Sequence, residues 1–552
     1  MVLQLFIGLL LIAFGSLLIT QGRRRRIWSV LILGGLCCVS YLLLDSLSHS
    51  ADGGFIYQWL PYKTLRADFN ISSSQRMQHL FLPLVYFLAA LVYFNTIYTS
   101  EEHSLHFNTL VLFNFIALIL QASSRDFIQL MFAGSMLSVI SFYMPDLSAS
   151  KKKMFVFNFL AEMAVFMAFA VVYGKTHSVS LGTLPDFVRN GWHKDLVGSL
   201  LLFAIGCKCG LFLLNGQYFS LKHGLFNRAA AIMGLSVPLS GLILVAKIQP
   251  LLADSQVVRL IIPWWAGISA GAAILSALLN NNIKSKAVAL SLAVYAALLY
   301  WTYTDTKVLY DWAPDILMLN FMVLSVLVLA FGAASDETSV LRMGGFWRLA
   351  KLNFTLSILI IAAYVSCVSE WFPIGPKSVA ALVYLGAVVM IMRMIYWGKS
   401  RASDMVASFA RSGSLLYAVP LVIISAWLIW HNKSFVSARF VEGMLAALGL
   451  FCLFPVNWLM RLGSLGVWRT DVLSFIYKTF FIMPLKLFGR ILWLAFDVVV
   501  IERNVIGSVS GLTSVIVKKM HRLQEISLFN FMLGILLGIL CMALYLGYYV
   551  YE

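Results

Sequence analysis

Ala204-Ile-Gly-Cys-Lys-Cys-Gly-Leu-Phe212 lies inside an apolar run from Leu196 to Leu214 in which Lys208 is the only charge. A run of about 20 apolar residues has the length of a membrane-spanning helix. An ammonium near a bilayer centre costs about 3 kcal/mol on insertion scales, so such a lysine faces a bundle interior or a water-filled path rather than lipid. The segment implies a membrane bundle with an interior able to receive a cation.

Composition places the whole chain in that class. Of 552 residues, 61% are hydrophobic and only 12% charged. A soluble domain could not solvate such a surface, whereas helices in lipid expose apolar side chains freely and satisfy their backbone internally. The expectation is an all-α integral membrane protein with about 16 spans of roughly 20 residues each. The seven cysteines all lie in or beside apolar segments and form no CxxC pair, so they read as small core residues rather than a metal site or disulfide framework. Met1–Thr20 lacks the charged start and small-residue cleavage site of a signal peptide and is expected to be a mature helix.

The net charge of +17 is distributed in a telling way. Basic clusters recur after every second apolar segment: Arg23–Arg26, Lys151–Lys153, Lys222 with Arg228, Lys284 with Lys286, Arg342 to Lys351, Lys399 with Arg401 and Arg411, and Arg461 with Arg469. Positive charge concentrates in cytoplasmic loops. This predicts a multi-pass protein of a bacterial-type cytoplasmic membrane with the clusters inside and both termini outside, and it removes the need to invoke nucleic acid. Spans are predicted near 1–20, 27–47, 79–99, 105–122, 127–145, 154–174, 196–214, 227–247, 258–280, 287–303, 314–333, 353–369, 378–397, 413–430, 439–460 and 528–549. The segment 463–526 breaks this rhythm by mixing apolar residues with Lys478, Lys486, Arg490, Glu502, Arg503, Lys518, Lys519 and Arg522. Its spacing suggests an amphipathic helix along the membrane surface or the bundle flank, before a final anchoring span.

Pieces spread along the chain then resemble one family. They are Phe69-Asn-Ile-Ser-Ser, the stretch Phe132 to Phe142, the Lys208 segment, Asn282-Ile-Lys-Ser-Lys286, Met343-Gly-Gly345, Gly386 to Gly398, Phe496 to Gly507 and Arg522-Leu-Gln524. Their order and spacing are similar to the antiporter-like subunits of respiratory NADH:quinone oxidoreductase (complex I), subunit L above all, and of Mrp-type cation/proton antiporters. The resemblance implies two inverted five-helix repeats with broken helices, within a division into N-terminal helices 1–99, a first repeat 100–250, a second repeat 251–400, additional helices 401–462, a lateral helix 463–526 and an anchor 527–552. It also implies proton translocation as one membrane subunit of a multi-subunit complex, with no cofactor in this chain. NADH, flavin, iron-sulfur clusters and quinone would be handled by partners.

In such subunits lysine, glutamate and histidine pass protons along a polar axis, because burial and neighbouring charges can tune them to load and release a proton. Lys208 matches the lysine of the first broken helix, and Glu162 aligns with an acidic family position. Lys377, in Trp371-Phe-Pro-Ile-Gly-Pro-Lys377, is a candidate for the second broken helix, since Pro373, Gly375 and Pro376 interrupt helical bonding; a lysine snorkelling from an outer loop fits the same residues. Lys284 is a candidate in the joining segment or a cytoplasmic topology charge. Aligned by spacing, the fifth-helix glutamate falls on Ser135, the eighth-helix histidine on Met233, the eleventh-helix histidines on Ile316 and Asn320, and a lysine on Leu324. Lys208 is therefore either a working relay, with Glu162 or water replacing the missing glutamate, or a structural cation at a helix break.

No phosphate loop, HExxH or G-x-S-x-G elbow competes with this reading. A lipid-linked transferase would want paired outer carboxylates, and Asp305, Asp311 and Asp315 read as solvated loop charges. Within transport the alternatives are an Mrp-like antiporter or the membrane partner of an energy-coupled uptake system, for inorganic carbon for example. Outside transport the alternative is a non-conducting membrane scaffold.

Overall fold

Apolar segments joined by short polar turns can satisfy their backbone in lipid only as helices packed on one another, and the computed structural model of the chain has that arrangement. It describes residues 101–145, 148–184, 193–224, 226–304, 319–324, 384–392 and 483–492, the strands 54–61 and 66–72, and a few single positions, Ile316 among them. The predicted spans 1–20, 27–47, 79–99, 353–369, 413–430, 439–460 and 528–549 lie outside these residues apart from single positions, and so does half of the second repeat.

Two strands come first, β1 (Gly54–Pro61) and β2 (Arg66–Ser72), paired antiparallel with Gly54 opposite Ser72 and an irregularity between Gln58 and Leu60. This hairpin is an addition to the helical plan read from sequence, and β2 runs beside the first two helices that follow. Those helices are α1 (Glu101–Ser123), α2 (Phe127–Tyr143) and α3 (Ser148–Thr176). After them come α4 (His193–Cys209), the single turn α5 (Gly216–Phe219), α6 (Phe226–Leu235), α7 (Val237–Asp254), α8 (Gln256–Leu279) and α9 (Ile283–Thr304). Among the described residues, four stretches are long and apolar enough to cross a membrane: Ser150–Thr176, Arg228–Asp254, Gln256–Leu279 and Ile283–Tyr303.

Two of the predicted spans are not single helices. The run 196–214 stops being helical at Cys209, and 227–247 divides at Ser236 into α6 and α7 before running on to Asp254. Ser236 sits at φ −111°, ψ −127°, and Pro238 follows at the start of α7. Pro238 takes a first-turn position of α7, where its missing N–H removes no helical hydrogen bond.

Helices α4, α7 and α9 form the interior, with Leu201, Ile205, Leu239, Leu242, Tyr295 and Leu298 fully buried. Helices α3 and α8 lie at the periphery. Leu260 and Trp264 on α8 are both 74% exposed, a cost in water that vanishes against lipid.

Hydrogen bonds tie the segments at each end. At one end Phe127 N–H donates to Val179 O at 2.9 Å, Leu181 N–H to Arg125 O at 2.9 Å, and Lys247 Nζ to Ser124 O at 2.8 Å. At the same end Ser255 Oγ donates to Asp195 Oδ1 at 2.8 Å. At the other, Ser150 Oγ donates to Ser220 O at 3.0 Å, Arg228 to Met144 O at 3.1 Å, and Lys284 Nζ to Gly224 O at 2.7 Å. The Lys151–Lys153 cluster and Lys222 therefore share an end, as alternating basic loops require.

Residues Leu473–Glu552 form a second compact unit. Its described part is α10 (Met483–Leu492), where Met483 and Leu487 are exposed four residues apart and Lys486 and Arg490 repeat at the same interval. That pattern suits a helix lying in a membrane interface.

Candidate functional site

The helix carrying Lys208 ends one residue after it, and the sequence explains why. Gly210 takes φ +66° and Leu211 N–H reaches back to Gly206 O at 3.0 Å, the glycine-terminated helix end that places its C′ residue in the left-handed region. A side chain at Gly210 would also strike the Tyr218 ring, 2.6 Å from an added Cβ. Ending a helix inside a bundle leaves carbonyls without partners, each a cost of several kcal/mol if unmet. Here side chains meet them. Gln217 Nε2 donates to Cys207 O at 2.6 Å, the Tyr218 hydroxyl donates to Lys208 O, and Trp265 Nε1 donates to Phe212 O at 2.8 Å. Ser269 Oγ accepts from Phe212 N–H at 2.8 Å. The break is thus a built feature rather than a frayed end.

A second break faces it. Cys209 Sγ lies 3.7 Å from Pro238 O, and a Cβ at Gly241 would meet Cys209 Sγ at 2.5 Å and Lys208 Cβ at 3.0 Å. Glycine at 241 lets α7 approach α4 at the level of the lysine, which brings Ser240 into reach. Lys208 is 2% exposed, and its Nζ donates to Glu162 Oε1 at 2.6 Å and to Ser240 Oγ at 3.2 Å. Opposite charges buried together cancel much of the desolvation penalty that either would suffer alone.

Glu162 comes from α3, and α2 makes room for it. An added Cβ at Gly134 would stand 2.9 Å from both carboxylate oxygens, and Ser138 Oγ donates to Oε1 at 3.2 Å. The arrangement holds one carboxylate, one ammonium and two hydroxyls in contact. Chemically it can hold one labile proton between Glu162 and Lys208, or accept a second that breaks the pair and leaves the ammonium to Ser240.

Of the residues singled out from sequence, Glu162 and Lys208 are brought together. Lys284 is held elsewhere, with its Nζ on Gly224 O and its N–H on Asn282 Oδ1 at 2.9 Å. Lys377 lies outside the described residues. Ser135, the position matched to the family's glutamate, is exposed, and its neighbour Gly134 faces the site instead. Met233, Ile316, Asn320 and Leu324 are all buried, so the apolar replacements read from sequence sit in the interior. There Asn320 Oδ1 accepts from Ser291 Oγ at 3.2 Å. The sequence reading passed over Ser138 and Ser240. A signal was present, since Ser138 with Ser141 and Ser236 with Ser240 recur at helical spacing on otherwise apolar segments.

No family model and no curated protein matches the chain. Solved structures do. Over 98% of its length the chain is similar to a chain in the structure of the Mrp complex from Dietzia sp. DQ12-45-1b, with a TM-score of 0.63 and 13% identity. It spans only 62% of that Mrp chain. Over 86% of its length, and 98% of the other chain, it is similar to a chain of respiratory complex I from Thermus thermophilus with bound aureothin, with a TM-score of 0.50 and 17% identity. At these identities the likeness is one of fold. The chain thus shares its fold with a chain of each of these two complexes.

Proposed function

We propose that the chain is a proton-translocating, antiporter-like membrane subunit of a larger assembly of the NADH:quinone oxidoreductase kind, with the Glu162–Lys208 pair as its loading site. The observation that carries this is the 2.6 Å ion pair buried at a helix break, in a fold shared with chains of the Mrp complex and complex I. Buried ionisable pairs in membrane bundles mark ion and proton pathways. A proton arriving at Glu162 neutralises the carboxylate and releases Lys208, whose ammonium can then pass its own proton to Ser240 or to water. Transfer of the proton from Glu162 to the neutral amine of Lys208, with which it is in direct contact, restores the pair. Redox groups, if the assembly uses them, belong to partner chains bound at the lateral helix and the bundle faces.

The test is proton flux in vesicles holding the full-length chain with its copurifying partners. Glu162→Gln and Lys208→Met should each abolish it when equal amounts of folded protein are reconstituted. Flux indifferent to both substitutions rules the pair out, and a wild type that never conducts supports a scaffold. The likeness to the Mrp chain over 98% of this one favours cation/proton exchange as a second reading. Flux that requires sodium or potassium on the opposite side would select it.

A further inference from the structure

Polar groups continue from the Glu162–Lys208 pair toward both ends of the bundle without leaving the first repeat. Toward the end where Ser150 meets Ser220, Ser138 Oγ donates to Glu162, Ser141 Oγ donates to Ser138 O at 2.8 Å, and Asn158 Nδ2 donates to Ser141 Oγ at 2.6 Å. Asn158 is fully buried, and its Oδ1 has no hydrogen-bond partner. It stands one helical turn from Glu162 on α3 and two turns from Ser150.

Toward the opposite end, Lys208 donates to Ser240 Oγ, which leaves the hydroxyl proton of Ser240 to be donated onward. Gln121 Nε2 donates to Ser240 O at 3.2 Å. Gln121 is 1% exposed, and its Oε1 is a second buried acceptor with no partner. Seven residues on from Ser240 along α7, on the same helical face and about 10 Å away, half-buried Lys247 donates to Ser124 O beside Arg125 and Asp126. Two buried acceptors left open, one on each side of an ion pair, are what ordered water occupies. Met233, Ile316 and Leu324, the positions where the family resemblance would put further relay groups, are buried and apolar, and Asn320 among them is bonded to Ser291.

We propose that protons cross this subunit straight through its first repeat, along Asn158, Ser141, Ser138, Glu162, Lys208, Ser240, Gln121 and Lys247, rather than sideways into the second repeat. The proposal rests on the Glu162–Lys208 pair being the loading site. In each transit a proton bound at the Asn158 side reaches Glu162, Lys208 gives one up through Ser240 and the Gln121 water, and the pair re-forms, so one proton enters and one leaves.

Flux and accessibility together test it in the assembled protein. Asn158→Leu and Gln121→Leu should each cut proton flux at least tenfold, and Asn320→Leu should leave it unchanged. Cys introduced at position 121 should react with a small membrane-impermeant methanethiosulfonate applied from the side that exposes Arg125, and faster than Cys placed at fully buried Leu118. Flux that survives Glu162→Gln overturns the loading site itself. Flux that falls with Glu162→Gln but persists in both Asn158→Leu and Gln121→Leu overturns only the straight path. So does flux lost in Asn320→Leu, which would restore a lateral route. Equal, slow modification of positions 121 and 118 overturns the hydrated seam whether or not flux is seen.

Discussion

A charge pair removed from water is a hazard unless both members stay, and this governs what substitutions at Glu162 and Lys208 will do. Their side chains are 10% and 3% exposed, so removing one partner leaves an uncompensated buried charge, a loss of about 3–5 kcal/mol. Lys208→Met and Glu162→Gln should each lower the thermal midpoint in detergent. The double variant should recover most of the loss, because it buries no net charge. Additive losses in that cycle would mean the two side chains do not interact. Gly134→Ala probes the same contact from the neighbouring helix: its Cβ would stand 2.9 Å from both oxygens of Glu162, and overpacking of this kind costs about 1–3 kcal/mol. Flux should fall with it, and Ser138→Ala should have the smaller effect of one lost hydrogen bond. Ser135→Glu, which alignment by spacing would choose to restore the pair, should leave Lys208 unaffected, since Ser135 points away from the site.

At the scale of elements, the broken helix is held open by side chains from other segments. Gln217, Tyr218, Trp265 and Ser269 take up backbone groups between Cys207 and Phe212. Tyr218→Phe strands the carbonyl of Lys208, and Trp265→Phe strands that of Phe212. An unsatisfied buried acceptor costs about 1–3 kcal/mol, so each should destabilise by that order in thermal unfolding. Tyr218→Phe should also reduce flux, because it loosens the residue that carries the ammonium. A Tyr218→Phe protein with unchanged stability and flux would show that the break holds its shape without that bond. Gly210→Ala should be worse than either, since it meets both a left-handed backbone and the Tyr218 ring.

Across the whole molecule, Ser150–Ser220 and Lys284–Gly224 contacts gather the basic turns at one end. Cysteines at positions 151 and 222 should therefore react with an impermeant reagent from the same side of the membrane, and a cysteine at 195 from the other. Labelling of 151 and 222 from opposite sides would break the bundle as described. Much of this plan was legible in the sequence. Apolar runs of span length and basic clusters at every second turn fix a multi-pass helical bundle, because lipid excludes unpaired backbone and charge wherever they occur along the chain. A lone lysine in such a run points inward for the same reason. The partner of Lys208 and the side chains that cap the carbonyls of its broken helix depended on segments far apart in sequence meeting in space. Glu162 and Ser240 lie 46 and 32 residues from Lys208 along the chain, and spacing on one strand of sequence carries no record of which neighbouring helix leaves room for a carboxylate. Only the packed bundle decided that, through the missing side chain of Gly134 on α2 and the close approach allowed by Gly241 on α7.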